Sequence, residues 1–373
     1  MLCAALYLSV RHDGGKAIPG VQGEAAATSA PASSSAPATE APTTPRGPRG
    51  SGRPVTFAFG GDVQFPDEWY TEPGVPGPDA PTLAQQLQAD PQHVLDPLAP
   101  VLSGADLAVV NLETAITDRG EPVAGKNYHF RSSASAFTAL KAAGVDVVSM
   151  ANNHALDYGP VGMQDTFDAI TRAKMPVIGI GHDAAEAFKP FRTVVHGQRI
   201  AIFSAVDWLE PALVDSWSAT DTQAGLAFTI DRTRLLAAVQ AVRPDVDTLV
   251  VFLHWGTEDT WCASPEQGDL ATALLGAGAD LVVGSHTHRV FGAGKVGTSL
   301  VAYGLGNLVY FREDGESGRS GVLLATVTGR EVDDYSWVPA RITNGVAVPE
   351  QGDAAAADLA EWNHRRVCSG LAP

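Results

Sequence analysis

The chain has 373 residues, 45% hydrophobic and 18% charged, so it can bury a sizeable core and is not disordered as a whole. Its 25 basic and 42 acidic side chains leave a net charge of −17. That balance excludes duplex nucleic acid as a partner, because phosphates demand a basic face, and it otherwise reads as plain solubility. A polyanion could be met only by local Arg or Lys, or by a metal.

The N-terminus is apolar from Met1 to Val10 and is then broken by Arg11-His12-Asp13. It is too short to span a bilayer and lacks a basic leading region, so residues 1–22 read as a truncated signal or anchor segment. An ordinary frayed terminus is the alternative. Residues 23–53 are Ala, Ser, Thr and Pro with little else, a disordered linker by composition. The folded domain is assigned to 54–345, with a C-terminal helix and tail, 346–373, packed on it. No later stretch is long and apolar enough for a transmembrane helix, so membrane contact is expected only through the N-terminal segment. Of three cysteines, Cys262 and Cys368 lie in the folded part and could pair in an oxidising compartment. The lack of any CxxC pair argues against a structural zinc finger.

Val55-Thr56-Phe57-Ala58-Phe59 alternates as a strand does and runs into Gly60-Gly61-Asp62-Val63-Gln64, a glycine-permitted turn presenting Asp62. Residues 65–81 read as a Pro- and Gly-rich loop, and 82–102 as helical stretches punctuated by Pro91, Pro97 and Pro100. A strand from Asp106 ends in Asn111 and Glu113, whose spacing of two puts them on one side. Lys126 and Arg131 follow, either as anion contacts or as a solvated edge. A helix over 134–143 ends at Gly144. The apolar run Val145-Asp146-Val147-Val148 then delivers Asn152-Asn153-His154 with Asp157 close behind. Strand exits are where α/β folds assemble sites; an Asx-rich turn capping the next helix is the alternative.

Residues 162–173 are predicted helical, 177–181 a short strand and 184–188 a short helix. Strands over 191–195 and 199–205 form a hairpin joined by His196-Gly197-Gln198. Residues 207–225, with Trp208 and Trp217, are irregular and read as a lid or rim, and 232–242 as a helix. A buried-type strand over 248–253 delivers His254-Trp255-Gly256. After a helix over 267–275, a strand over 279–283 delivers Gly284-Ser285-His286-Thr287-His288-Arg289. Strands over 299–303, 321–327 and 335–339 and a helix over 354–366 complete the chain.

Strand ends thus carry Asp62, Asn111 with Glu113, Asn153 with His154, His254, and His286 with His288. Oxygen and nitrogen donors without thiolates suit Mn, Fe, Zn or Mg, one ion or two. His-x-His puts two imidazoles on one side of an extended segment. A carboxylate such as Glu113 can bridge two ions, which together would clamp a phosphate and activate a water.

This series resembles the CapA family, named for poly-γ-glutamate capsule biosynthesis and itself similar to the calcineurin-like metallophosphoesterases. The resemblance covers about Val55 to Val338. It rests on Gly61-Asp62, Asn111-Leu112-Glu113, Ala151-Asn152-Asn153-His154 with Asp157 and Gly159, His254-Trp255-Gly256, Gly284-Ser285-His286-Thr287-His288 and Tyr303-Gly304-Leu305-Gly306-Asn307. It implies an α/β fold, the four-layer α/β/β/α sandwich of the metallophosphoesterase type. It further implies Asp62 and His288 as ligands of a first metal, Glu113 as the bridge, and Asn153, His254 and His286 as ligands of a second. His154 is the implied general acid, with Asp157 orienting it. Asn111, Lys126, Arg131, Arg289 and Asn307 are the candidate substrate contacts. Gln64 departs from the phosphoesterase pattern, which has His there; a neutral amide depletes that metal position. Two functions follow. One is a metal-dependent hydrolase acting on a phosphate-containing small molecule or anionic envelope polymer. The other is a non-catalytic accessory of polymer synthesis or export, working beside a membrane synthase. Both imply a secreted or membrane-tethered protein of the cell envelope.

Overall fold

The computed structural model describes residues 52–67, 81–230 and 232–373. The apolar stub, the linker as far as residue 51, and residues 68–80 of the Pro- and Gly-rich loop lie outside the described residues.

An eight-stranded and a six-stranded sheet dominate these residues. In spatial order the first runs Asn307–Val309, Val346–Pro349, Glu331–Thr343, Arg319–Thr328, Val55–Val63, Leu107–Leu112, Val147–Ser149, Val177–Ile178. The second runs Ala293–Val296, Ser299–Ala302, Leu281–Ser285, Thr248–His254, Gln198–Val206, Phe191–Val195. The strands with polar ends are parallel neighbours: Val55–Val63, Leu107–Leu112 and Val147–Ser149 in one sheet, Thr248–His254 and Leu281–Ser285 in the other. Parallel neighbours bring their carboxyl ends to one rim of each sheet.

Side-chain alternation sorts the strand residues into layers. Phe57 and Phe59, their rings stacked 5.6 Å apart, face the other sheet and meet Ile202, Val250 and Phe252. Ala58, Ala108 and Val110 face the opposite way, onto a core shared with helices Leu83–Ala89, Ser135–Ala142 and Gly159–Ala173. Beyond the six-stranded sheet, Phe203, Leu249 and Val251 pack with helices Arg232–Val242 and Pro265–Ala277. Three cores between four layers make the α/β/β/α sandwich. Because Thr248–His254 is covered on both faces, every residue in it is buried, which is why its sequence is a continuous apolar run.

Several elements differ from the sequence reading. Gln198 opens a strand, so the hairpin turn is His196-Gly197 alone, both at positive φ as a two-residue hairpin loop requires. The stretch 177–181 splits at Gly179 into Val177–Ile178 and Ile180–Gly181, the second pairing with Gly225–Leu226. Strands Ala293–Val296 and Val346–Pro349 are unforeseen; the latter lies in the assigned tail yet is hydrogen-bonded into the large sheet. Helix Gly352–Cys368 ends the fold, and Cys368 is bonded to Cys262 across a Cα–Cα distance of 5.5 Å. Among the described residues no helix is long and apolar enough to cross a membrane.

Candidate metal centre

Asp62 is carried close to the turn at Gly306: its backbone N–H donates to the Gly306 carbonyl at 3.0 Å. Gly61 makes the approach possible, since a Cβ there would sit 1.9 Å from the Gly306 oxygen. Leu107–Leu112 brings Asn111 and Glu113 alongside, both fully buried. From the other sheet arrive His254, His286 and His288. Ligand atoms of Asp62, Glu113 and His288 lie within 4.8 Å of one another, and so do those of Glu113, His254 and His286. Glu113 belongs to both sets, the position of a bridge. Asn153 Oδ1 completes the second set, 2.8 Å from His254 Nε2, with Glu113 Oε1 3.4 Å from the same nitrogen.

The imidazoles do not converge by extended alternation. His286 has φ 97° and His288 φ 53°, left-handed backbone that a non-glycine residue adopts only at a cost. That turn aims the His286 N–H at Asp62 Oδ2, 3.1 Å away, and sets the two imidazole centroids 6.4 Å apart.

Charge and burial are opposed throughout. Burial works against the Glu113 charge, but the imidazoles of His254 and His288 outweigh it and hold the carboxyl well below the usual range. Burial also opposes protonation of His288, yet Glu113 and Asp62 push it up to about 10. Burial, reinforced by His254 and His288, keeps His286 well below the ordinary imidazole value and hence neutral. Gln64 Oε1, Glu113 Oε1 and His286 Nδ1 are buried without a hydrogen-bond partner among the described residues. Such orphans are costly unless something else satisfies them. Three acceptors with unused lone pairs, in a carboxylate, amide and imidazole set, fit a divalent cation.

His154 and Asp157 form an adjoining dyad. His154 Nδ1 donates to Asp157 Oδ2 at 2.6 Å, which leaves Nε2 as the atom that can pass a proton. Phe130 packs on the ring at 4.3 Å and gives its backbone N–H to the same Asp157 oxygen at 2.7 Å.

The candidate substrate contacts fare differently. Asn111 lies behind the donors: it donates to Asp62 Oδ1 at 2.8 Å and receives Asn152 Nδ2 at 3.0 Å. Asn307 accepts from His288 Nδ1 at 2.8 Å and is likewise buried, so it orients a ligand instead of meeting a substrate. Lys126 is neither a solvated edge nor an open anion contact. Its ammonium is buried against Asp157 Oδ1 at 2.7 Å and Glu210 Oε1 at 3.2 Å, and also bonds the Asn153 carbonyl. Arg131 pairs with Asp67 at 2.7 Å and lines a separate polar cavity with Thr117 and Ser132. Arg289 is bound by Asp259 at 2.5 Å and Ser317 Oγ at 2.7 Å. Gln64 donates Nε2 to Glu113 Oε2 at 3.0 Å.

Three residues at the centre are not among the site residues expected from the sequence. Asn152 ties Asn111 and the Leu112 carbonyl to the His154 backbone. Tyr310 stacks on His288 and Trp208 on His286, at 5.0 and 5.1 Å. Asn152 lies inside a motif that carries the resemblance and Trp208 in the segment read as a lid or rim, but the contacts of both, and the place of Tyr310, are set only by the fold.

Residues 56–311 match the family described as bacterial capsule synthesis protein PGA_cap. The chain is 31% identical over 229 residues to the capsule biosynthesis protein CapA of Bacillus anthracis, covering 58% of this chain and 54% of that one. It is 27% identical over 230 residues to the PGA biosynthesis protein CapA of Bacillus subtilis, covering 61% and 59%. The match therefore spans little more than half the length of these relatives. A putative 5'-nucleotidase from Staphylococcus aureus superposes with a TM-score of 0.47 at 13% identity, over 84% of this chain and 58% of that one, a likeness too loose to bear on chemistry.

Proposed function

The chain belongs to the bacterial capsule synthesis protein PGA_cap family, and from that premise we propose that it serves synthesis of an envelope polymer of the poly-γ-glutamate kind through a metal-dependent phosphoesterase centre. One observation carries the chemistry: Glu113 is common to two candidate donor sets, at a place where buried acceptors lack partners among the described residues. Asp62, Glu113 and His288 would hold one divalent ion, and Glu113, Asn153, His254 and His286 a second. A bound ion supplies Lewis acidity to a phosphoryl oxygen.

The chain's own residues do the rest. Asn111 and Asn307 fix Asp62 and His288 by hydrogen bonds. Asp157 holds the His154 tautomer, so that Nε2 delivers a proton to the leaving oxygen. Lys126 neutralises the Asp157 carboxylate and pins the Asn153 backbone. The disulfide supports an oxidising compartment, hence a secreted or membrane-tethered protein of the envelope; a membrane synthase as partner is proposed from the family alone. In this reading the domain begins near residue 54, after a linker and a signal or anchor segment.

A second reading, an accessory that binds without turnover, is favoured by Gln64, whose neutral amide is a weaker ligand than an imidazole. Metal analysis, with turnover of p-nitrophenyl phosphate and its bis-ester in Mn(II), separates the two. The hydrolase reading expects activity that His154→Ala lowers about 100-fold or more with metal retained. Folded protein with neither metal nor turnover would leave the accessory reading standing.

A further inference from the structure

The rim over the centre comes from the segment after strand Gln198–Val206. Its path is fixed at several points. Asp207 N–H donates to the His254 carbonyl at 2.9 Å, Leu209 is buried, and Glu210 meets Lys126 at 3.2 Å. Between these anchors Trp208 stacks on His286, with an interplanar angle of 24°, and yet remains 38% exposed. A large apolar ring is thus stacked on a buried candidate ligand while part of its surface stays open to water. The carboxylates around it are Glu258, whose charge acts on His288, and Asp207, Glu210 and Asp259, which bond Thr229, Lys126 and Arg289 respectively. The nearby cations are already engaged, Lys126 by Asp157 and Glu210, Arg289 by Asp259.

We propose that Trp208 is the platform on which the non-reacting part of the substrate lies, and that this part is an uncharged ring. The substrate class is then a phosphate ester of an aromatic or sugar-like alcohol. A poly-γ-glutamate chain would bring its carboxylates towards Glu258 and towards two cations, Lys126 and Arg289, that already hold carboxylate partners. The phosphoryl group goes to the metal; the ring goes to the indole, which offers a flat apolar face at low entropic cost. This inference rests on the phosphoesterase reading above and adds a specificity determinant to it.

Two non-hydrolysable probes of equal charge test it: phenylphosphonate and methylphosphonate, titrated calorimetrically into the full chain loaded with Mn(II). The expected result is that the phenyl probe binds about tenfold more tightly. Trp208→Ala should abolish that preference, read as the ratio of the two affinities in protein whose manganese content is counted by elemental analysis. Trp208→Phe should keep most of it. Equal binding of both probes by the unaltered protein, or a preference that survives in Trp208→Ala, would overturn the role of Trp208 and leave the phosphoesterase reading intact. Failure of both probes to bind the manganese-loaded protein would overturn the phosphoesterase reading, and this inference with it.

Discussion

Glu113 and His288 hold each other in the charged state, and an incoming cation must displace the proton on His288. Free of metal, His288 stays protonated up to about pH 10, because Glu113 and Asp62 lie beside it. Ligation needs the neutral imidazole, so loading should release close to one proton from this position, and affinity should climb with pH until that proton is gone. Calorimetry of Mn(II) binding in buffers of different ionisation enthalpy reads the release directly; buffer-independent heats would contradict it. Shared use of Glu113 has its own signature. Glu113→Ala should empty both positions, whereas His286→Ala should lower the metal stoichiometry by one ion, as counted by elemental analysis. The donors themselves were legible, because each stands at the end of an apolar run. The roles of Lys126, Asn111 and Asn307 were not. A sequence shows that a polar side chain is near a site, but not that a second polar group has already claimed it.

The elements read from the sequence most faithfully are those buried on two faces. Strand Thr248–His254 and its neighbours announce themselves by unbroken aliphatic runs, whereas helix Pro265–Ala277 is legible only over 267–275, without the capping box that Ser264 and Gln267 form at its start. Short or half-exposed pieces gave no such signal. Val346–Pro349 is four residues long and partly exposed, and is a strand only because Glu331–Thr343 lies beside it. Ala293–Val296 likewise depends on Ser299–Ala302. The irregular segment carrying Trp208 was recognised as a rim, but its contact with His286 joins residues far apart in the chain. Gly61 is where an element-level substitution should tell most. Gly61→Ala would force a methyl group against the Gly306 carbonyl, backbone that cannot step aside. We expect a loss of at least about 3 kcal/mol in denaturant unfolding, beyond what an exposed Gly→Ala change produces. An unfolding midpoint equal to that of the unaltered chain would show that the two segments are not so closely apposed.

At the scale of the molecule, the covalent link from Cys262 to Cys368 closes a loop of 106 residues that includes Leu281–Ser285 and the whole C-terminal helix. The paired replacement Cys262→Ser with Cys368→Ser should cost about 2–4 kcal/mol, chiefly by freeing the unfolded chain. Intact-mass measurement of exported protein should find two hydrogens fewer than the reduced chain; two free thiols would count against both the link and the envelope assignment. The centre has a mechanical consequence as well. Glu113 follows a strand of the large sheet, and His254 and His286 come from the small one, so an ion held by these three would rivet the two sheets along a single seam. Chelation should loosen that seam on both sides at once. Amide exchange should quicken together at Asn111–Leu112, Leu253–His254 and Gly284–Ser285, while the far ends of the same strands, near Leu107, Thr248 and Leu281, keep their protection.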